Sequence, residues 1–429
     1  MNVGEGIYNF MGEVFPYCRS ITGDGVRQTL KKMQKICPKL TIHEVPSGTQ
    51  VFDWQVPKEW NCREAYIEDS KGKRIVDFRE NNLHVVGYSQ PVDKLVTKKE
   101  LAEIIHTYPK LPEAIPYVTS YYKESYGFCM AEKQWQSLLD DTYHIVIDSE
   151  LKQGNLTYGE IIIPGKTEEE ILFSTYVCHP SMANNELSGP GVSIKLAEFI
   201  SAKTAHRYTY RFIYVPETIG SITYLSKNYL ELKRKVIAGF NLSCLGDNLA
   251  YTYVASKYGN TLADKVAQNV LQHIAPSYHK YSFLKRGSDE RQYNMPGIDL
   301  PVCGLYRSKS NEYLQYHTSL DNMEFVTPKA LSESYEMLLT MIQALEGNFI
   351  YQTTCLCEPQ LGRRGLYPKT SIRGVSRASG AFSYIDFLAY ADGSNDLLDI
   401  SNLIELPVGE CLKIAQQLER ANLIRKVCL

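Results

Sequence analysis

The sequence predicts an α/β fold with a mostly parallel central sheet flanked by helices. Four apolar runs have the length of buried strands, and each leads into a polar loop: they are residues 171–177, 210–215, 236–242 and 300–306. After the first run, apolar residues recur at helical spacing from Val192 to Ile200. This order of strand, polar loop and helix is typical of parallel sheets, whose strands need crossover connections.

The remaining elements of the large domain follow from the same patterns. Residues 3–17 and 24–37 are predicted helices, and residues 40–45 form a predicted strand. Residues 155–164 and 171–177 are expected to form a hairpin that enters the central sheet. Ser188 is the expected N-cap of the helix that follows the first apolar run.

Two changes of pattern predict further domains. Between residues 51 and 135 come short strand-like runs, proline-rich turns and one charged helix at 98–106, which predicts an inserted small β-rich domain. We therefore expect one discontinuous domain formed by residues 1–50 and 136–350. Residues 355–429 contain three short predicted helices, broken at 393–395 and at Pro407, and resemble a winged helix.

One polar residue lies just beyond each of the four apolar runs. In chain order these residues are His179, Glu217, Asp247 and His317. In an open parallel sheet, ligands bind outside the carboxyl ends of the strands, so these four side chains are expected near one another. Histidine, glutamate and aspartate are the usual ligands of catalytic zinc. The pattern therefore predicts a metal site.

Each of these residues has an alternative interpretation when it is taken alone. His179 is also compatible with a hydrogen-bonded loop residue, and Glu217 with a helix cap, because carboxylates favour helix N-termini. Asp247 is compatible with a turn former, and His317 with a surface position. All four alternatives would have to hold together to remove the site, so the metal site is the favoured interpretation.

Three motifs resemble a known family. The strings CHPS at 178–181, PETIGS at 216–221 and IPYVTSYY at 115–122 resemble a bacterial aminopeptidase-like group. The order of the candidate site residues is similar to the zinc aminopeptidase fold that is shared with glutaminyl cyclases. The resemblance implies a zinc-aminopeptidase-like central sheet, an inserted small domain, a C-terminal winged helix, and a loose association with polysaccharide biosynthesis.

Two departures from the dizinc members of that family limit the predicted metal content. Asn185 stands where they have a bridging aspartate, and Glu217 stands alone where they have a pair of glutamates. Two divalent ions about 4 Å apart repel by on the order of 20 kcal/mol at an effective dielectric constant of about 20, and a neutral amide does not offset this. We therefore expect one zinc ion, or a second one that binds only weakly. The simplest arrangement of a single ion uses His179 and His317 with a third contact from Asn185 or Asp247.

Glu217 is then free to act as the general base. A zinc-bound water has a pKa lowered towards about 7, and a nearby carboxylate can take its proton as the water attacks an amide carbonyl. If Glu217 is instead a metal ligand, the sequence offers no clear replacement base. Asp289 and Asp321 are interpreted as partners that orient the ligands.

Composition and net charge limit the kinds of binding partner and the cellular location that are expected. The 429 residues carry a formal net charge of −2, which gives no reason to expect nucleic acid or acidic lipid as a general partner. No apolar run approaches 18 residues, and the first residues lack the pattern of a secretory signal. The eleven cysteines include no Cys-x-x-Cys pair. A cytoplasmic protein with free thiols and no membrane span is therefore expected.

Charge also bears on the predicted winged helix. Residues 383–429 carry seven acidic and four basic side chains, a net charge of −3, whereas a DNA-binding module needs a basic surface. A role in homo-oligomerisation or in binding a protein partner is therefore preferred to nucleic-acid binding.

Three classes of function remain open. The first is a zinc-dependent amide hydrolase acting on a small peptide or an amino-acylated sugar. The second is a catalytically weak metal- or carbohydrate-binding protein of polysaccharide biosynthesis, motivated by Asn185 and the lone Glu217. The third is a winged-helix regulator that binds DNA while the large domain senses a metabolite.

Overall fold

The computed structural model describes residues 2–366 and 381–427. The chain forms two compact units, one of Met1–Gly259 with His279–Tyr335 and the other of Asn260–Tyr278 with Glu336–Leu429. No helix in the described ranges is long and apolar enough to cross a membrane.

The strands and helices are numbered in chain order. The strands are β1 (Thr41–Pro46), β2 (Gln50–Val51), β3 (Trp54–Gln55), β4 (Glu59–Glu68), β5 (Arg74–Asp77), β6 (Val92–Thr97), β7 (Ile105–His106), β8 (Phe128–Cys129), β9 (Thr142–Lys152), β10 (Asn155–Ile163), β11 (Glu170–Tyr176), β12 (Thr209–Val215), β13 (Val236–Leu242), β14 (Thr252–Val254), β15 (His279–Tyr281), β16 (Val302–Tyr306), β17 (Ile350–Thr353), β18 (Asp392–Asp396) and β19 (Ile424–Val427). The α-helices are α1 (Val3–Val14), α2 (Asp24–Ile36), α3 (Lys98–Ala102), α4 (Glu132–Gln136), α5 (Ser188–Ser201), α6 (Ile219–Lys235), α7 (Leu262–Ile274), α8 (Glu290–Tyr293), α9 (Pro328–Gly347), α10 (Ala381–Tyr390), α11 (Leu397–Leu403) and α12 (Val408–Arg420).

The central sheet of the first unit has eight strands in the order β1-β10-β12-β11-β13-β16-β14-β15. Its four middle strands, β12, β11, β13 and β16, are parallel, while β10 and β14 pair antiparallel at either side. Every residue of β11 and β12 is buried, as expected for parallel strands covered on both faces. The predicted α/β class and its four central strands are therefore confirmed.

The predicted hairpin between residues 155–164 and 171–177 is wrong. Strand β10 pairs with β1 and β12, whereas β11 lies between β12 and β13. A buried charge cluster accompanies this order, because Arg211 of β12 donates to Glu160 of β10 over 2.7 Å and to Glu170 of β11 over 2.6 Å. Arg211 is far from Glu160 and Glu170 in sequence, and local patterns therefore did not reveal this strand order.

The start of helix α5 also differs from the prediction. A single turn of π-helix at Ala183–Leu187 leads directly into α5, and Leu187 occupies the N-cap position. The hydroxyl of Ser188 bonds to the carbonyl of Asn184 and accepts the N–H of Leu245 over 2.7 Å. Ser188 is thus not an N-cap, and it instead links two loops at the carboxyl edge of the sheet.

A separate four-stranded sheet has the order β5-β4-β9-β6. Its strand β9 lies beyond residue 135, where we expected the insertion to end, and the domain boundaries remain a prediction. The charged helix expected at 98–106 is shorter, because α3 ends at Ala102 and Ile105 begins strand β7.

The second unit contains a three-stranded sheet in the order β18-β17-β19, together with helices α10, α11 and α12. Those helices correspond to the three that the sequence predicted. The break expected at 393–395 is part of strand β18, which is antiparallel to β17. Residues 367–380, part of the predicted 355–429 domain, lie outside the described residues.

Candidate metal centre

The four candidate residues that follow the apolar runs are positioned by adjacent parallel strands. His179 follows β11, Glu217 follows β12, Asp247 follows β13, and His317 lies in the loop after β16. Because these strands are parallel neighbours, their carboxyl ends lie at the same edge of the sheet.

His179 is held by a buried carboxylate that the sequence did not assign to this role. Oε2 of Glu186 lies 2.9 Å from Nδ1 of His179, and Oε1 of Glu186 accepts the N–H of Cys178 over 2.6 Å. The fully buried Arg19 lies 3.5 Å from Oε1 of Glu186 and donates to the carbonyl of His179 over 2.9 Å. A carboxylate on one ring nitrogen fixes the imidazole and leaves Nε2 directed elsewhere, as metal-binding histidines require.

Cys178, His179 and Glu186 form the one His/Cys/Asp/Glu group close enough to share an ion among the described residues. The contacts of Cys178 and Glu186 nevertheless indicate that these two residues support His179 by hydrogen bonds and do not bind an ion themselves. Both oxygens of Glu186 already accept N–H groups, and the guanidinium of Arg19 supplies the positive charge. Burial also raises the pKa of the Cys178 thiol well above its usual value, which disfavours the thiolate.

Glu217 is placed by an unusual turn. Thr218 has φ 65° and ψ −78°, and the N–H of Ile219 donates to the carbonyl of Glu217 over 2.8 Å, which together define a classic γ-turn. A β-branched residue at positive φ is strained. Two residues at the start of α8 support the turn: Oδ1 of Asp289 accepts the N–H of Thr218 over 2.8 Å, and Arg291 donates to the Thr218 hydroxyl.

The carboxyl groups of Glu217 and Asp289 influence one another. Burial raises the pKa of Glu217 above its usual value, although the positive charges of His179 and Arg291 oppose the shift. Burial also raises the pKa of Asp289 to about 7, and the negative charge of Glu217 adds to that effect. A carboxylate with a raised pKa is a better proton acceptor at neutral pH than an exposed one.

His317 is held by the segment that contains the IPYVTSYY motif. The N–H of Tyr117 donates to the carbonyl of His317 over 2.9 Å, and the N–H of Ser319 donates to that of Ile115 over 2.9 Å. The ring of Tyr316 stacks on the His317 imidazole at 3.9 Å between centroids. Burial lowers the pKa of His317 to about 3, so the imidazole is neutral and available as a ligand.

The structure brings His179, Glu217 and His317 together. Nε2 of His179 lies 3.8 Å from Oε2 of Glu217, and the two imidazole centroids are 5.4 Å apart. Nε2 of His317 is buried and has no hydrogen-bond partner among the described residues. The ring of Tyr117 contacts both imidazoles edge-on at 5.2 Å.

Asn185 lies in the π-helical turn, and Asp321 fixes its backbone. Oδ2 of Asp321 accepts the N–H of Asn185 over 2.9 Å, and Oδ1 accepts those of Ala183 and Asn184. The amide Oδ1 of Asn185 accepts the hydroxyl of Tyr176 over 2.9 Å, while its buried Nδ2 has no partner in the described chain. Rotating the amide by 180° exchanges these atoms and presents the oxygen instead.

Asp247 is fully engaged by protein donors. Its Oδ2 accepts the side-chain amide of Asn184 over 2.9 Å and the N–H of Ser308 over 3.0 Å. Its Oδ1 accepts the Ser308 hydroxyl over 2.7 Å and the N–H of Leu249 over 2.9 Å. These contacts tie the loop after β13 to the π-helical turn and to the loop after β16.

Comparison with known proteins identifies the family. Residues 8–348 match the family model described as a domain of unknown function, DUF4910. The chain belongs to the DUF4910 family. Residues 349–426 match a winged helix-turn-helix model, which agrees with the predicted C-terminal fold.

A Clostridium acetobutylicum relative is 45% identical to this DUF4910 protein over 425 residues, covering 99% of this chain and 97% of the relative. Its name refers to polysaccharide biosynthesis and to an aminopeptidase-like domain. A crystal structure from the same organism, named as a peptidase, has a TM-score of 0.92 and 44% identity and covers 99% of this chain and 96% of that chain.

More distant structures show the fold. A zinc aminopeptidase from Bacillus subtilis has a TM-score of 0.58 at 13% identity, covering 80% of this chain and 94% of that chain. A Peptidase M28 precursor from Shewanella amazonensis has a TM-score of 0.54 at 9% identity. The match covers 83% of this chain and 95% of that chain. The DUF4910 region therefore has an aminopeptidase-like fold, and the resemblance drawn from the sequence is confirmed.

Proposed function

We propose that this protein is a zinc-dependent aminopeptidase-like amide hydrolase in which Glu217 is the general base. The observation that carries the proposal is the 3.8 Å separation of Nε2 of His179 and Oε2 of Glu217. Beside them lies Nε2 of His317, which accepts or donates no hydrogen bond within the described part of the chain. One buried and one half-buried imidazole next to a half-buried carboxylate resemble the donor set of catalytic zinc sites.

The donor set fits one ion better than two. His179 and His317 each offer Nε2, and Asn185 can offer its amide oxygen after the rotation described above. The sequence left Asp247 as the alternative third contact, but its four hydrogen bonds favour a supporting role. With neutral donors at these positions, little negative charge is available to hold a second divalent cation.

Each step of the proposed mechanism is carried by a residue of this chain. What zinc supplies in such sites is a water of lowered pKa and polarisation of the substrate carbonyl. Glu217 accepts the proton of the attacking water at Oε2 and later returns it to the leaving nitrogen. Asp289 and Arg291 hold the γ-turn and thereby aim the carboxylate, while Tyr117 and Tyr316 limit the motion of His317.

The proposed substrates are small peptides or amino-acylated sugars. The aminopeptidase-like fold supports an amide or peptide substrate, and the name of the C. acetobutylicum relative supports a role near polysaccharide synthesis. We also propose a cytoplasmic location, which is supported by ten cysteines of the described residues that are thiols rather than disulfides.

One observation favours a second candidate, a catalytically weak metal- or carbohydrate-binding protein. Asn185 is neutral and Glu217 stands alone, so fewer carboxylates are available to strengthen metal binding than in a dizinc site. The winged helix is proposed to bind a protein partner or a second copy of the chain, because its acidic balance does not suit DNA.

The hydrolase proposal is tested with Glu217→Gln, which keeps the size of the side chain and loses its basicity. Zinc-loaded wild type is first screened on aminoacyl-arylamides, dipeptides and N-acylated amino sugars. The variant should retain zinc and lose roughly 10²-fold or more of kcat. If wild type turns over no substrate, the binding protein becomes the better candidate. Loss of zinc in the variant would make Glu217 a ligand.

A further inference from the structure

Two neighbouring cavities lie in the first unit, apart from the candidate metal centre. The proximal cavity, of about 520 Å³, is lined by residues that include Tyr88, Gln90 and Tyr121. The distal cavity, also of about 520 Å³, is lined by residues that include Trp54 and Gln153. Pro57, Lys58 and Tyr122 line both cavities. The two therefore form one two-chambered groove, and each chamber has the size of a small-ligand pocket.

Exposed aromatic rings mark the boundary of the groove. Tyr122 is 62% exposed and Trp54 is 38% exposed, and the two rings meet edge to face at 5.6 Å between centroids. Both rings combine an apolar face with a polar atom that can hydrogen-bond. A pyranose ring has a face of C–H groups that suits the negative face of an aromatic ring, and hydroxyl groups around its edge.

The polar lining of the groove favours a neutral, hydroxyl-rich ligand. Amide and charged side chains from both chambers offer donors and acceptors; they are Asp53, Gln55, Lys58, Gln90, Lys123, Glu124, Glu150 and Gln153. Two basic and three acidic residues nearly balance one another. A nucleic acid would need a basic surface, whereas sugar hydroxyls use donors and acceptors of both kinds.

A pair of tyrosines connects the groove to the candidate metal centre. Tyr121 lines the proximal cavity, and its hydroxyl bonds to that of Tyr117 over 2.6 Å. Tyr117 in turn contacts the imidazoles of His179 and His317. The groove is therefore separated from the proposed reacting centre by two aromatic side chains.

We infer that this groove is a carbohydrate-binding subsite, with Trp54 and Tyr122 as the stacking platforms for sugar rings of an oligosaccharide. The inference rests on the proposed function for its substrate class, because an amino-acylated sugar has a saccharide portion that such a subsite would hold. Binding at the subsite itself requires neither the metal nor Glu217.

The experiment measures saccharide binding by the full chain, freed of metal with a chelator, using calorimetry and tryptophan fluorescence. The probes are maltohexaose, chitohexaose and an array of bacterial glycans, with tetra-alanine as the peptide probe. We expect at least one saccharide to bind and to change the Trp54 emission. Trp54→Ala and Tyr122→Ala should each weaken that binding at least tenfold. Tyr258→Ala, which removes a tyrosine that is 78% exposed and lines neither cavity, should not.

Three results would overturn the subsite: no saccharide binds, only tetra-alanine binds, or both platform variants bind as wild type does. Thermal unfolding of each variant separates loss of the platform from loss of the fold, and the two substitutions act as independent checks. Repeating the measurement on Glu217→Gln separates this inference from the hydrolase proposal, since saccharide binding should persist there even if no amide is ever hydrolysed.

Discussion

The N–H of Thr218 donates to Oδ1 of Asp289 over 2.8 Å, and this bond ties the residue after the proposed base to helix α8. The same Oδ1 accepts the hydroxyl of Ser221 over 2.7 Å. Thr218 occupies a strained γ-turn, and such a conformation persists only where its surroundings hold it. Asp289 is therefore a positioning residue for Glu217.

We expect Asp289→Ala to lower kcat by about 10- to 100-fold, because the turn loses its acceptor and Glu217 is displaced. Zinc content should stay unchanged. Asp289→Asn keeps an acceptor oxygen and should restore much of the activity, which a general structural loss would not allow. Steady-state kinetics and elemental analysis of both variants make the test. An Asp289→Ala enzyme as active as wild type would exclude the positioning role.

Metal content is predicted to depend on both histidines. Wild type should bind about one zinc, and His179→Ala or His317→Ala should abolish tight binding, because each removes one of the two imidazoles that are proposed to hold the ion. His144→Ala is the matched control, since that histidine bonds to Asp93 and Glu68 and lies outside the candidate site. Elemental analysis after zinc loading gives the stoichiometry. Two tightly held ions in wild type would contradict the proposed role of Asn185.

Asn185→Asp is predicted to raise affinity for a second divalent ion by about tenfold or more, because a carboxylate offsets the repulsion between two cations. Asn248→Asp adds the same charge at an exposed position and should change nothing. Calorimetric titration of zinc into both variants and into wild type measures the affinity for a second ion in each. Equal second-site affinity in Asn185→Asp and wild type would count against the charge argument.

The buried ion pair of Glu186 and Arg19, which lies next to His179, is predicted to stabilise the folded protein. Glu186→Gln leaves the buried Arg19 guanidinium without its counter-charge, and breaking such a pair costs about 3 kcal/mol or more of the free energy of unfolding. Glu198→Gln, which removes the exposed partner of Lys195, should cost under about 0.5 kcal/mol. Denaturant unfolding of the two variants compares them. Similar stability losses would mean that Arg19 finds another partner.

Part of this site was predictable from short stretches of sequence. His179, Glu217, Asp247 and His317 were chosen as candidates because each follows a strand-like apolar run, and strand ends of a parallel sheet share one edge. Asp289 and Asp321 were expected to orient ligands. In the structure, Asp289 binds the Thr218 N–H and Asp321 binds three N–H groups of the turn that carries Asn185.

The role of Glu186 was missed for a local reason. In the sequence, Glu186 is only one of several polar residues in the loop after the first apolar run. A π-helical turn precedes α5 and returns the Glu186 side chain to Cys178 and His179, and no residue preference announces such a turn.

By itself, the sequence determined the α/β class, the four parallel strands, the winged helix and the set of residues at the strand ends, because apolar periodicity and strand ends are local properties. The tertiary structure decided three further features. Strand β10 lies beside β12, the N–H of Tyr117 donates to the carbonyl of His317, and four donors hydrogen-bond to the Asp247 carboxylate. These features depend on hydrogen bonds and charge pairs between residues far apart in the chain, and such partners become neighbours only after folding.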